Sequence, residues 1–543
     1  TPWEVKTSQT EDVWFAEYAI PFQSIRYNPN QTTWGINFGR FIPKYLETSY
    51  WAGPLDADFR VSQSGVLTGL ELPGSAAEGR FIPYVTTRYE TFSGEKWHNE
   101  IGFDIEHRYE KNIIGNLTFN PDFATVEGDR ERINMTRWEL SFPEKRKFFL
   151  EGSDMFRNRI QAFYSRRIGE IDFGGKVIGK AGPYAFSVLG VRGRAVEDNP
   201  STSGDESFPR SFTGVVRLKR DVFKSSTVGL MLINKEWQGG FNRVLSLDGF
   251  FHFPNDFHLT TQFVTGSPGP FSKNYGGFFR IYRENNIYHY HLRYTELAED
   301  FMESVNGVGF IRDDNRRELD SAINYKWWMK KSFIKYIDYN SNYNIYWSKT
   351  GGHLRSWEIQ QDLEFYLKNK FSLGWDFIRE YELFEKGFNN YDHEFEVGYN
   401  TEEWSSTKVS YQFGKNYDLS YWMVQGGTRV KLNEKFSVEY ELMKLHFNPD
   451  PEMESTWLSI ATLNYQFTPD LYLRLFTQYR SATERLYVYG LFGWRFKVPN
   501  SAFYLVYTRN DFNSELIDEL NHPSAMRERN EILFLKFAYD FTL

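Results

Sequence analysis

Eleven short polar turns divide most of this chain, at Lys111-Asn112, Gly182-Pro183, Arg220-Asp221, Asn255-Asp256, Asn285-Asn286, Lys330-Lys331, Asn369-Lys370, Glu403-Trp404, Asn433-Glu434, Pro469-Asp470 and Asn500-Ser501. Between consecutive turns lie longer polar excursions, among them GRAVEDNPSTSGDESFPR, SPGPFSKNYGG, ELAEDFMESVNGVGFIRDDNRR, FNPDPEMEST and RNDFNSELIDELNHPSAMRER. The segments left over alternate apolar and polar residues with a period of two. Tyr391, His393, Phe395, Val397 and Tyr399 share one face, and Asp392, Glu394, Glu396 and Gly398 share the other. Phe436, Val438, Tyr440 and Leu442 oppose Ser437, Glu439 and Glu441 in the same way, as Leu471, Leu473, Leu475 and Tyr479 oppose Arg474, Gln478 and Arg480. Such alternation marks one-sided strands. Short turn, strand, long loop, strand is the rhythm of a transmembrane barrel with tight turns at one rim and extended loops at the other. A propeller, the soluble alternative, would repeat one motif every ~40 to 50 residues, and no such repeat is present.

Two strands per turn give about 24 strands, within a range of about 20 to 26. A barrel of that width has a lumen its own side chains cannot fill, so it must be plugged, constricted or used to pass something large. Composition agrees. Aromatic residues make up 19% of the 543, with 50 Phe, 35 Tyr and 16 Trp, a density that the aromatic girdles of a barrel account for. A helical membrane protein is excluded by 25% charged residues, a mean hydropathy of -0.56, and the lack of any run approaching ~18 apolar residues. A net charge of -8 excludes a nucleic-acid partner, whose phosphates call for a basic face. There are no cysteines, hence no disulfide framework and no thiolate metal site. The opening TPWEVKTSQT has no signal-peptide pattern, which says nothing against export. The last strand sets Leu533, Leu535, Phe537, Tyr539, Phe541 and Leu543 against Lys536, Asp540 and Thr542, with Leu543 where a terminal aromatic is usual.

Residues 1–75 read differently. The run VWFAEYAIPF is a strand ending at a proline turn and TWGINFGRF another with small residues interleaved, too few to make a sandwich alone. They are expected to be the C-terminal part of a periplasmic β-sandwich whose first strands precede residue 1, followed by the barrel over 76–543. Trp14, Trp34 and Trp51 are candidates for stacking on sugar rings, with core packing as the plainer alternative.

One long segment, inserted at 120–160, interrupts the strand series. Its charges, Asp122, Glu127, Asp129, Arg137, Glu139, Glu144, Lys145, Arg146 and Glu151, continue into Arg166 and Arg167. A segment so charged cannot face lipid. It falls on the outer side of the strand series and is expected to fold back into the lumen as a plug or constriction. Ion pairs within the segment and to the wall would hold it, and Phe148, Phe149 and Leu150 would supply a small apolar anchor. The stretches NPDFATVEGD and FPEKRKFFLEG, with Phe163 to Gly169, resemble a family of uncharacterised outer-membrane proteins common in Bacteroidota. In that family a carbohydrate-binding module of the family 9 type precedes a barrel of unknown function. The stretches AIPFQSIRY, WGINFGRFIPK and VSQSGVLTGLELPG are similar to the end of that first domain. The resemblance implies an outer-membrane address in a Gram-negative bacterium and this architecture, not an activity.

Chemistry is sparse. Asp122, Glu127 and Asp129 offer oxygens for calcium but lack the EF-hand order. Glu127 with Glu139 or Glu144 would suit a glycosidase if about 5 to 9 Å apart, yet carboxylates interleaved with arginines more often pair with them. His289 and His291 share a strand face. No GxSxG, HExxH or phosphate-binding glycine loop is present, so no enzyme, metal or cofactor is expected. The leading expectation is a channel or transporter for a bulky, glycan-derived solute, in contact with outer-membrane lipid and lipopolysaccharide. A non-enzymatic barrel subunit of an outer-membrane complex for assembly, secretion or glycan uptake is the alternative, and an envelope glycan hydrolase is the third possibility.

Overall fold

The computed structural model describes residues 3–20, 32–42, 47–52, 64–70, 78–91, 96–109, 113–121, 130, 132, 134–195, 210–223, 225–285, 287–329, 331–450, 455–497, 500–513 and 527–542. The leading part forms β1 (Glu4–Gln9), β2 (Trp14–Ala19), β3 (Thr33–Ile36), β4 (Gly39–Ile42), β5 (Glu47–Tyr50) and β6 (Gly65–Thr68). These pair as three two-stranded sheets, β1 with β2, β3 with β6 and β4 with β5.

The barrel begins with β7 (Glu78–Glu90), β8 (Trp97–Tyr109) and β9 (Ile113–Phe119). After the inserted segment come β10 (Ile168–Ala181), β11 (Tyr184–Ala195), β12 (Arg210–Val222), β13 (Ser226–Trp237), β14 (Gly240–Phe253), β15 (Phe257–Ser267), β16 (Tyr275–Glu284) and β17 (Tyr288–Leu297). A second lumenal loop leads to β18 (Arg316–Trp328), β19 (Ile334–Ser348), β20 (Leu354–Leu367), β21 (Phe371–Phe384), β22 (Lys386–Tyr399) and β23 (Ser406–Asn416). The series ends with β24 (Leu419–Lys431), β25 (Phe436–Asn448), β26 (Thr456–Thr468), β27 (Leu471–Arg480), β28 (Arg485–Lys497), β29 (Ser501–Asn513), β30 (Arg527–Ala538) and the two-residue β31 (Phe541–Thr542). Each strand is antiparallel to its chain neighbour, and β30 and β31 both pair with β7. Among the described residues this is a closed barrel of 24 long strands. Among them, too, no helix is long and apolar enough to cross a membrane; the strands do so.

The period-two pattern becomes two rings of opposite environment. Val177, Val188, Val216, Leu232 and Leu245 stand opposite one another in register and point outward; Val216 is 43% exposed. One residue along, Lys176, Leu189, Val215, Ile233 and Val244 form the matching inward row, and all five are buried. An outward apolar ring over a filled interior is the signature of a barrel in lipid. The hairpins read from the sequence at these turns all join strands at one rim, between β8 and β9, β10 and β11, and so on to β28 and β29; Lys111, Asn112, Asn286 and Lys330 themselves lie outside the described residues.

Three details differ from the sequence reading. The turn placed at Arg220-Asp221 comes later, because both residues pair with β13 and Phe223 takes the left-handed conformation. The opposite rim is not uniformly long-looped, since β21 joins β22 through Glu385 alone and β23 joins β24 through Tyr417 and Asp418, all three at positive φ. The last strand is broken at Tyr539 and Asp540. There the Asp540 N–H donates to Ser501 Oγ at 2.8 Å and the Tyr539 N–H to the Pro83 carbonyl at 3.2 Å.

The outward ring makes a direct prediction. Val216→Arg, at mid-strand, should cost about 2–4 kcal/mol of barrel stability, read as a lower urea midpoint on refolding into phospholipid bilayers. The inward Val215→Ala should instead act by leaving a cavity in the lumenal core.

Candidate functional site

After β9 the chain turns into the barrel. Contacts of the described residues between 130 and 168 with the inner faces of strands on opposite sides show that this segment crosses the lumen. Arg130 pairs with Glu439 on β25 at 3.0 Å, and Arg137 pairs with Glu382 on β21 at 2.7 Å and lies over Phe384. Asn416 on β23 donates to the Met135 carbonyl at 2.8 Å. Lys147 reaches Glu106 on β8 and Asn500, the latter at the rim of short turns.

On the side of β10–β17 the segment is seated, not merely tethered. Phe149, Met155, Phe156, Ile160, Ala162 and Phe163 join Ile171, Leu189, Val215, Met231 and Val264 of the wall in one buried cluster. Its polar atoms are matched to inward polar side chains. Lys176 donates to the Phe148 and Glu151 carbonyls, Arg217 to the Met155 carbonyl at 2.9 Å, and Gln262 both accepts from the Ile160 N–H and donates to its carbonyl. Arg217 is fully buried and paired with Asp248. Gly152, at φ 70, lets the chain turn where a Cβ would sit 2.2 Å from Ile178.

The loop between β17 and β18 folds inward too and completes this core. It carries the short helix α2 (Phe301–Val305), the second after α1 (Lys147–Leu150) of the inserted segment, and its Phe301 and Val305 are fully buried. It bonds the inserted segment backbone to backbone, Tyr164 N–H to the Val308 carbonyl and Phe310 N–H to the Gln161 carbonyl, both at 2.8 Å. Lys235 on β13 donates to carbonyls of both, Arg167 and Gly307. The sequence reading treated this loop as a polar excursion. The missed signal is its apolar spacing, with Phe301, Val305, Val308, Phe310 and Ile311 set among charges.

The charged residues singled out in the segment fall into distinct places. Glu144 binds Arg146 in a fork and accepts from Ser165 Oγ at 2.6 Å; Arg146 also donates to the Ser165 and Ile168 carbonyls. This pair closes the segment on itself and on the start of β10. Glu139 pairs with Arg167 at 2.7 Å, Arg166 donates to the Pro143 carbonyl, and Glu151 accepts from Asn116 on β9. The Lys145 N–H donates to Glu144, and its side chain lines a cavity between the segment and the wall of β27–β30 and β7–β9. Asp122, Glu127 and Asp129 lie outside the described residues. Glu139 and Glu144 are thus each engaged by an arginine. His289 and His291 hydrogen-bond to each other at 3.0 Å and run on to Glu284 and Asp320. Among the described residues no group of three or more potential ligands is placed to hold a metal. In the leading part Trp14 and Trp51 are exposed, Trp34 is half-buried, and Arg40 lies over Trp14.

On the inner face of β20–β22 the wall is acidic. Glu358 and Glu380 are cross-strand neighbours, as are Asp362 and Asp376, and Asp376 and Glu394. None of these five has a salt-bridge partner among the described residues. Like charges set opposite each other destabilise a sheet, and they are tolerated where water fills the space in front of them.

Fold and lumen together define a transmembrane β-barrel of the outer-membrane type. Residues 79–177, spanning β7 to β10 with the inserted segment, match a domain of unknown function, DUF5916. No curated protein matches the chain in sequence. Among solved structures it is similar to the siderophore receptor PirA from Pseudomonas aeruginosa, with 9% identity over 86% of this chain and 81% of that one and a TM-score of 0.45. A mutant of the ferric enterobactin receptor PfeA from the same organism gives 10% identity over 86% and 81%, with a TM-score of 0.42. Pseudomonas aeruginosa OpdO gives 6% over 86% and 97%, with a TM-score of 0.33.

Two predictions concern how the segment is held. Arg217→Ala leaves Asp248 unpaired in the core and should cost about 3–5 kcal/mol, seen as faster proteolysis within 134–168. For Glu144, burial pushes the carboxyl up, but the hydrogen bonds and charge of Arg146 and the Ser165 hydroxyl outweigh it and hold the pKa below the ordinary value of 4.5. The folded pKa is therefore lower than the unfolded one. The stabilisation is present above pH 4.5 and is lost as pH falls through the depressed folded value. Amide exchange over 142–168 should quicken on acidification below pH 4.5 in the native protein, and already be quick at pH 7 in Glu144→Gln.

Proposed function

We propose that this chain is an outer-membrane channel or transporter for a bulky polar solute, with glycan fragments the first class to test, and that the inserted segment blocks or gates it. One observation carries this. The segment is cored against β10–β17 but meets the far wall through few contacts: Arg137 with Glu382, Asn416 with the Met135 carbonyl, Arg130 with Glu439, and the Met135 side chain against Tyr421, Leu445 and Phe447. Apolar burial makes the first attachment costly to undo. Arg130 and Glu439 are part-exposed, a pair worth on the order of 1 kcal/mol, and Arg137 with the buried Glu382 is the stronger hold; with far less apolar area buried there, the second attachment is the one that parts while the first holds. A path would then open along the acidic wall. The rim of short turns and residues 1–75 face the periplasm on this reading, and the outward ring meets the lipid and lipopolysaccharide of a Gram-negative outer membrane. Residues 1–75 form the end of a sugar-binding sandwich of the family 9 type, with the exposed faces of Trp14 and Trp51 available to a sugar ring.

The test is single-channel recording in planar bilayers. Deletion of 122–152 should raise conductance several-fold. Glu382→Gln combined with Asn416→Ala leaves the lumenal core intact and should increase the frequency of open events. If neither variant differs from the native barrel, the segment does not gate. A barrel silent in all three forms would point to a scaffold role within a protein complex, to be sought by mass spectrometry of particles extracted in mild detergent.

A further inference from the structure

At the foot of the acidic wall, between Arg130 of the inserted segment and the inner faces of β20 and β22–β26, lies a cavity of about 460 Å³. Thr401, in the hairpin between β22 and β23, lines it and places it at the rim of short turns. Four glutamates, Glu364, Glu396, Glu439 and Glu441, share it with three bases, Arg130, Lys408 and Arg429. Lys408 pairs with Glu396, Arg130 pairs with Glu439 at 3.0 Å, and Arg429 donates to Ser406 Oγ at 3.2 Å. Among the described residues Glu364 and Glu441 take only neutral donors, the Tyr366 hydroxyl at 2.7 Å and the Gln425 amide at 2.8 Å. Thr462, directly opposite Glu439 across β25 and β26, is fully buried and lines the same cavity, and its hydroxyl has no hydrogen-bond partner among the described residues. One inward position along the strands from Glu364 and Glu396 stand Asp362 and Glu394, two of the five wall carboxylates without a salt bridge. Of the charges between 122 and 133 only Arg130 and Arg132 are among the described residues; the rest, Asp122, Glu127, Asp129 and Glu131, are acidic and add no cation.

We propose that this cavity binds a cationic, amine-bearing solute, whose ammonium group replaces the Arg130 guanidinium on Glu439. Its volume falls in the range of roughly 300–1,000 Å³ typical of small-molecule sites. A surface of one sign of charge raises the local concentration of the opposite ion, so the carboxylates of β20–β22 draw a cation along the wall to the cavity at its foot. An ammonium group carries three N–H donors. Glu439 and Glu441 share the inner face of β25, and the Thr462 hydroxyl stands beside them as a third acceptor. A buried hydroxyl without a partner is destabilising, and a solute that supplies one recovers that loss. Arg130 is the segment's own cation at this place, and among the described residues its one ion pair is with Glu439. Displacing it loosens the segment from the far wall. The proposal names the solute class for the channel proposed above and rests on that reading only for the route by which solute arrives.

The experiment is equilibrium binding to the full chain in detergent by isothermal titration calorimetry at about pH 6, where carboxylates are ionised and amines protonated. The probe is the glucosamine trimer, compared with its fully N-acetylated form, which is uncharged, and with trigalacturonate, which is anionic. The glucosamine trimer should bind at least about ten-fold more tightly than either and should weaken as NaCl is raised from about 0.05 to 0.5 M. Glu364→Gln with Glu441→Gln should weaken it about ten-fold or more, and Thr462→Val, which keeps the side chain's shape, about three-fold or more. Both variants should keep the heat-dependent gel mobility of a folded barrel. Arg130→Gln removes the internal competitor and should tighten binding about three-fold or more, a change that damage to the barrel does not produce. The acetylated trimer or trigalacturonate binding as tightly, or affinity unchanged in either the double variant or Thr462→Val, overturns the site. Binding that is not tightened in Arg130→Gln overturns the displacement of the segment. Conductance distinguishes the two readings: a barrel that conducts without preferring the glucosamine trimer refutes the site alone, and one that binds it without conducting refutes the channel alone.

Discussion

Everything here follows from the ladder between β30 and β7. In lipid no water is available to satisfy backbone N–H and C=O groups, so a sheet that crosses the membrane has to close on itself. The pairing of Ile532 through Ala538 with Glu90 through Tyr84, extended by Phe541 on Phe81, removes the last free edge. Closing at this strand number obliges the protein to deal with a wide interior. A narrower barrel would have filled its lumen with its own wall.

The interior is dealt with unevenly. Two connections from the long-loop rim fold back onto β10–β17, and there the inward positions are apolar or carry polar groups matched to the loops' backbones. Gly266 and Gly276 show how close the contact is. A Cβ at the first would meet the Ser304 carbonyl at 2.4 Å, and at the second the ring of Phe301 at 2.8 Å. On β20–β22 the inward positions become carboxylates and amides, while on β26–β30 Leu458, Ile460, Phe476, Tyr489, Leu491, Val506 and Phe534 form a second buried apolar cluster. One barrel thus combines a packed interior, like that of a soluble domain, with a wall whose inner face is acidic on β20–β22.

The wall was legible because lipid and lumen impose opposite chemistries on alternate residues, as at Val397 and Glu396, and because hairpins need turn residues such as Asn255-Asp256. The inserted segment was legible as an interruption, because so many charges cannot face lipid. Its partners were not. Arg217, Lys176 and Gln262 read as ordinary polar-face residues, and only their burial against particular carbonyls shows that they receive the segment. The loop around α2 was hidden for a related reason: five apolar side chains dispersed among charges look like a surface loop until a second element covers them. The cavity between the segment and β27–β30 is lined by residues more than 300 positions apart, such as Arg132 and Lys536, and no local pattern marks such a pair.

The packed half of the lumen has a further property. Its wall strands, the inserted segment and the α2 loop are contiguous in the chain, from Lys147 to about Arg316, so this half can gather its core from near neighbours in sequence. Contacts of that kind form early and fast. The β30–β7 seam joins strands over 400 residues apart and cannot exist until the chain is complete. The protein therefore has the makings of an assembly order, in which a self-supporting curved sheet with its interior already filled stands ready and the remaining strands wrap round to meet it.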